Sequence, residues 1–242
     1  MKFFKPAPYV SNYFPEEQKV VLSLSLMLLF SVYFALNYLA FTYYPNGMLE
    51  LRNPGFWLLF ANSAFIGGVV LLNKNTIGWS WGDLGLARPN TWWKPILVTV
   101  LVFISLVLFS RYLQPYFYQL GEKPDISQLF VLNGNLQLLI FSIIFVWITA
   151  AFLEELVFRG FLIPALEIIF GRNRWSTWAS LIVSSLIFGL IHAWQGISGI
   201  LITSCIGFIF GVAYLLNGRR IWPIIAVHGI VDTITLVSIY NM

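Results

Sequence analysis

Seven stretches of this chain are apolar over lengths close to what a helix needs to cross a bilayer, and they leave little sequence for anything else. They fall at 20–41, 56–73, 95–114, 136–166, 176–195, 197–216 and 221–240, the fourth unusually long. About 20 apolar residues span the hydrocarbon core. Every backbone N–H and C=O must be satisfied there without water, which leaves helices or closed barrels. The runs are continuous rather than alternating, so helices are expected. Charged residues make up 10% of the chain and hydrophobic ones 59%, against roughly 25% charged in soluble domains. The expected fold is an all-α, polytopic membrane bundle of about seven to eight transmembrane helices.

Turn chemistry marks the breaks: Pro45-Asn46-Gly47, Asn53-Pro54-Gly55, Gly121 to Pro124, Gly171-Arg172-Asn173 and Asn217-Gly218. The chain reads as a polar N-terminal arm over 1–19 followed by one transmembrane domain over 20–242. Lys2 and Lys5 precede Pro6, Pro8 and Pro15 rather than an apolar core, so the first run reads as a retained helix and not a cleaved leader. Cys205 has no partner in the sequence and is expected to be a buried, inert thiol. The net charge of +4 is scattered through loops, with no stripe that could follow a phosphate backbone, which argues against nucleic acid as a partner.

Lys and Arg placement gives the orientation. Lys2, Lys5 and Lys19 lie on one side with Lys74, Arg88, Lys94, Arg172, Arg174, Arg219 and Arg220; Arg52 and Lys123 lie on the other. The N-terminus is therefore expected in the cytoplasm. Trp79, Trp81, Trp92, Trp93, Trp175 and Trp222 stand at segment ends, where headgroup-level rings are favoured. Arg111 near a helix end is expected to snorkel to the interface, and Glu167 to be solvated.

Three segments put ionisable groups inside apolar runs. They contain Glu154, Glu155 and Arg159; His192; and His228 with Asp232. A charged group near a helix centre costs roughly 2.5–3.5 kcal/mol on insertion scales, so this set left unpaired would cost on the order of 10 kcal/mol. The groups must face one another or water. Glu155 and Arg159 share a helix face and can pair, as can His228 and Asp232. Glu154 points about 100° away from Glu155 on a regular helix and stays free of that pair. A Glu–Arg staple or a lone intramembrane His can be purely structural. Two carboxylates, both histidines of the chain and an Asp on three segments are harder to explain that way. Such a set can activate a water through Glu154 and stabilise an oxyanion with His192 and His228. It can also bind an ion: His, His and a carboxylate is a permissible catalytic zinc set, and sequence does not choose between a metal-bound and a metal-free water.

The three segments resemble the motifs of the CAAX-prenyl protease and bacteriocin-processing (CPBP, or Abi) family of intramembrane proteases. Those motifs are E-E-x-x-x-R, F-x-x-x-H and H-x-x-x-[N/D]. Here they read Glu154-Glu155-Leu156-Val157-Phe158-Arg159, Phe188-Gly189-Leu190-Ile191-His192 and His228-Gly229-Ile230-Val231-Asp232, in the family's order. The resemblance covers roughly 145–235. It implies an eight-helix or similar bundle with a water-filled cavity, and peptide-bond hydrolysis with Glu154 as base, Glu155 and Arg159 in support, and His192, His228 and Asp232 completing the site. It implies a membrane-associated peptide or protein substrate and a multi-pass location, here the plasma membrane of a prokaryote. The family's metalloprotease label implies a divalent metal such as zinc on His192, His228 and Asp232 with Glu154, although a metal-free glutamate mechanism has been argued for some members. Asp232 stands where prenyl proteases generally have Asn, which weakens any specific claim for prenylated substrates. Asp83-Leu84-Gly85-Leu86 is also similar to the family but short. The competing classes are a proton-coupled transporter and a non-catalytic Abi-type regulator or immunity protein. One geometric difficulty stands: His192 is expected about 10 Å outward of Glu154 at 1.5 Å per residue.

Overall fold

The computed structural model describes residues 15–44, 52–171 and 173–242. Lys2, Lys5, Pro6, Pro8, the Pro45-Asn46-Gly47 turn and Arg172 lie outside the described residues. Among the described residues the structure is all-helical, without strands. The long helices are α1 (Glu16–Tyr43), α2 (Pro54–Ile77), α3 (Trp93–Phe117), α4 (Leu136–Ile169), α5 (Arg174–Leu190), α6 (Gly196–Leu216) and α7 (Trp222–Tyr240). All but α5 are long and apolar enough to cross a membrane; α5 has 17 residues and reaches about 25 Å. Each coincides with one apolar run of the sequence, so the described residues form seven long helices rather than eight.

The starts are set by local chemistry. Asn53 accepts from the Gly55 N–H at 2.8 Å, with Pro54 as the first helical residue of α2. Asn135 and Asn173 cap α4 and α5 by accepting from Leu138 and Ser176. Helix α4 is 34 residues long. It widens into π-type turns over Trp147–Glu154 and Leu156–Leu162, on either side of Glu155. Such turns re-aim side chains and are frequent at functional sites.

Helix contacts follow the small residues. On α6, Gly199, Thr203, Gly207 and Gly211 recur every four residues and are buried, the small-xxx-small pattern that lets membrane helices approach closely. A Cβ on Gly189 of α5 would lie 2.5 Å from the Ile200 carbonyl, so only glycine permits this crossing. By contrast Leu24, Met27, Leu28, Ile96, Leu97 and Leu101 are exposed on α1 and α3. Without a membrane around the chain, that is the surface lipid would cover.

The short Asp83–Leu86 segment takes a structural role. Asp83 Oδ2 accepts from the Ser80 N–H and hydroxyl at 2.6 and 2.7 Å. Gly85, at φ 82°, accepts from the Ile221 N–H at 3.1 Å. Leu84 is fully buried, and its carbonyl sits where a Cβ on Gly160 would be only 2.5 Å away. The segment thus locks α4 to the start of α7.

Four sequence expectations are corrected. Glu167 is buried rather than solvated, because Arg219 Nη1 and Nη2 donate to its two carboxylate oxygens at 3.0 and 2.8 Å. Arg219 is correspondingly buried and is not a free loop charge. Trp79 packs inside against Phe161, with ring centroids 5.9 Å apart, instead of standing at the interface. Cys205 is only half-buried.

Candidate functional site

Four of the six polar candidates form one connected network. Arg159 Nη1 donates to Glu155 Oε1 at 2.9 Å, as the four-residue spacing predicts. The same oxygen meets His228 Nδ1 at 2.9 Å. On its other edge, His228 Nε2 faces Asp232 Oδ2 at 3.6 Å. A carboxylate paired with arginine can only accept, so Nδ1 is the protonated nitrogen of His228. The tie to Glu155 rather than to Asp232 was not readable from spacing, because Glu155 and His228 are 73 residues apart.

Arg159 is fixed from several directions. Nη2 donates to the Gly207 carbonyl at 3.1 Å. The guanidinium lies 4.5 Å from the Phe188 ring centre, 5.2 Å from Phe210 and 6.0 Å from Phe158. Cation–π contact of this kind is strongest where water is excluded. Gly207 thus serves twice: it lets α5 approach, and it lends its carbonyl to the charge centre. With Arg159 1% and Glu155 0% exposed, the pair is a buried salt bridge made through Glu155 Oε1, while Oε2 is buried without a hydrogen-bond partner.

Helix α7 is held in place by Trp147 of α4. The Trp147 ring covers Gly229, where a Cβ would come within 2.6 Å of it, and its Nε1 donates to Thr233 Oγ1 at 3.1 Å. These contacts bracket His228 and Asp232 and fix their depth against Glu155.

Glu154 does not join the pair. It is half-buried, and its Oε2 is shielded from solvent without a hydrogen-bond partner. It lies within electrostatic reach of His228, Asp232, Glu155 and Arg159. It lines a cavity of about 310 Å³ together with His192, Tyr33, Asn37, Asn62 and Thr149, among largely apolar neighbours. His192 sits just beyond the end of α5, in the turn before α6. Its Nδ1 meets the Phe188 carbonyl at 2.8 Å; a carbonyl can only accept, so Nδ1 carries the proton. In the neutral ring Nε2 is then an acceptor. Glu154 and His192 line the same cavity. Phe188 links the halves of the site, with its ring 5.1 Å from His192 and 6.5 Å from His228.

The six candidates thus divide. Glu154 and His192 face an open space, while Glu155, Arg159, His228 and Asp232 form the charge network beside it. Sequence reasoning missed Tyr33, Asn37 and Asn62, which bring α1 and α2 into the wall. A single Asn in an apolar run was the only available signal.

The donors proposed for an ion do not form a ready cage. Among the described residues no three His, Cys, Asp or Glu side chains are gathered to hold a metal. His228 Nδ1 and His192 Nδ1 are engaged by Glu155 and by Phe188, which leaves Nε2 of each ring as the nitrogen that could meet an ion.

Residues 136–234 match the family described as Type II CAAX prenyl endopeptidase Rce1-like. The match covers the segment that carries the three motifs and bears out the resemblance drawn from them. No curated protein and no solved structure matches the chain.

Proposed function

We propose that this chain is an integral membrane endopeptidase of the CAAX-protease type, in which Glu154 activates a water that hydrolyses a peptide bond. The observation that carries this reading is the division of labour between adjacent glutamates. Glu155 Oε1 is taken by Arg159 and His228, whereas the Glu154 carboxylate stands outside that network, with lone pairs it leaves free, and lines the cavity. A general base needs such a free lone pair within reach of its water.

In this mechanism Glu154 takes a proton from the water as its oxygen bonds to the scissile carbonyl carbon. His192 Nε2 accepts the water's second O–H and so orients the attacking lone pair. The carbonyl π electrons move onto oxygen, and the resulting oxyanion lies in the field of His228, which carries positive charge when both ring nitrogens are protonated between Glu155 and Asp232. Collapse of the intermediate breaks the C–N bond, and the proton on Glu154 passes to the departing amine. Glu155 and Arg159 hold His228 and never touch the substrate. The substrate is a membrane-associated peptide or protein. On this reading the chain belongs in the plasma membrane of a prokaryote with its N-terminus in the cytoplasm, the side that the Lys and Arg placement favours.

The test is reconstitution of the purified chain in vesicles with a labelled apolar peptide. Appearance of a new amino terminus supports the proposal. Proton flux that depends on Asp232, with no peptide ever cut, would point instead to a proton relay through the same groups.

A further inference from the structure

One wall of the cavity is built by α1, outside the residues that match the family. Tyr33 of α1 lines the cavity with Glu154 and His192, whereas His228 and Asp232 are not part of its wall. The charge of His228 thus acts on the cavity through its field. A donor that touches a developing oxyanion has to come from the wall itself.

Most donors of that wall are spent. Ser63 Oγ donates to the Leu59 carbonyl at 3.0 Å and Thr149 Oγ1 to the Phe145 carbonyl at 2.8 Å. Asn37 Nδ2 donates to the Tyr33 carbonyl at 2.9 Å, and Asn62 Nδ2 leans on the same oxygen at 3.5 Å. His192 Nδ1 is taken by Phe188. Trp194 is stacked on Phe41 with ring centroids 4.9 Å apart, and Gln195 folds its side chain over Gly199. The phenol of Tyr33 differs. Among the described residues its hydroxyl donates to no backbone carbonyl, and its oxygen is not one of the sealed, unpartnered atoms. It lies within electrostatic reach of Glu154, while the side chain beside it is that of Asn37, itself a donor. The phenol hydrogen is therefore uncommitted, and the space between phenol and carboxylate is left to what enters the cavity.

We infer that Tyr33 is a further catalytic residue, whose phenol O–H donates to the oxyanion formed from the scissile carbonyl. The inference rests on the hydrolase reading given above. As Glu154 takes the proton of the attacking water, its negative charge passes to the carbonyl oxygen. The net charge of the cavity is unchanged and only its position moves, away from α4 and toward the phenol. Tyr33 keeps its proton throughout and stabilises the charge where it arrives, an interaction made in the transition state and not with bound peptide.

The test compares the full chain with Tyr33→Phe in vesicles, using the labelled apolar peptide and a phosphinate analogue placed at the bond that is cut. Tyr33→Phe is expected to lower kcat by about 10²–10³-fold, the size of one lost oxyanion donor, with KM and melting temperature near those of the parent. Binding of the tetrahedral phosphinate is expected to weaken by a similar factor. Where Tyr33→Phe fails to fold, 3,5-difluorotyrosine at position 33 keeps the shape and the O–H. Its more acidic phenol ionises at lower pH, so the alkaline fall in kcat should begin at lower pH than in the parent. Parental kcat in Tyr33→Phe, or an alkaline limb that fluorination does not move, overturns the inference alone. A loss of kcat that comes with equal loss of peptide binding and of melting temperature also overturns it, since that marks a structural role. No cleavage by the parent chain overturns the hydrolase reading and the inference with it.

Discussion

Glu155 and His228 are joined by a 2.9 Å contact from Nδ1 to Oε1, made on the same oxygen that accepts from Arg159. This single carboxylate fixes α4 to α7 and sets the ring on which the second half of the site depends. Its neighbour Glu154 stands outside that network and lines the cavity.

The first prediction follows from that contrast. Glu155→Gln keeps the shape but leaves Arg159 buried without its counter-charge, a loss of about 3–5 kcal/mol for a broken buried pair. Glu154→Gln removes no existing contact and should change stability by less than about 1 kcal/mol. Thermal unfolding of the two variants in detergent should separate them by many degrees. Equal melting would show that the Glu155–Arg159 pair is not what holds the bundle.

The Trp147–Gly229 contact gives a second. A methyl at position 229 must enter space held by the Trp147 ring, and overpacking of this kind costs about 1–3 kcal/mol. Gly229→Ala should therefore lower both stability and peptide turnover. Adding Trp147→Leu should recover part of the stability. If Gly229→Ala behaves like the parent chain, the ring is not seated where His228 needs it.

A third concerns the Glu167–Arg219 pair at the other end of α4. Removing Arg219 alone should cost about 3–5 kcal/mol by leaving Glu167 buried, whereas replacing both by apolar residues should cost far less. A double-mutant cycle on unfolding free energy measures the difference. Additive single effects would mean that the two side chains are not coupled.

The donor arrangement yields the fourth. With no three ligands gathered among the described residues, dialysis against a strong chelator is expected to leave peptide cleavage within twofold of its starting rate. Loss of activity on chelation, restored by zinc alone, would require His192, His228 and Asp232 to regroup around an ion.

Much of this was legible in the sequence because lipid leaves so few options. The apolar runs located all seven long helices of the described residues, down to the excess length of α4. The spacing of Glu155 and Arg159 announced their pair. What escaped had no local signature. Glu167 and Arg219 lie 52 residues apart, so nothing in their neighbourhood linked them, and an acidic residue near a helix end reads as solvated. Trp79 stands at a segment end, as an interfacial ring does, yet it is buried against Phe161, which is 82 residues away in sequence. The π-type turns around Glu155 depend on how α4 packs rather than on any residue pattern. Asn62 and Tyr33 join the site only when α1 and α2 close over α4, a tertiary event that motif spacing does not encode.

The most direct test of the central claim compares peptide turnover by Glu154→Gln with that of the parent chain, reconstituted in vesicles and matched for folded protein. Loss of a general base should lower kcat by about 10²–10⁴-fold while peptide binding and melting temperature stay near those of the parent. Turnover by Glu154→Gln at the parental rate would contradict the account, whatever the other variants do.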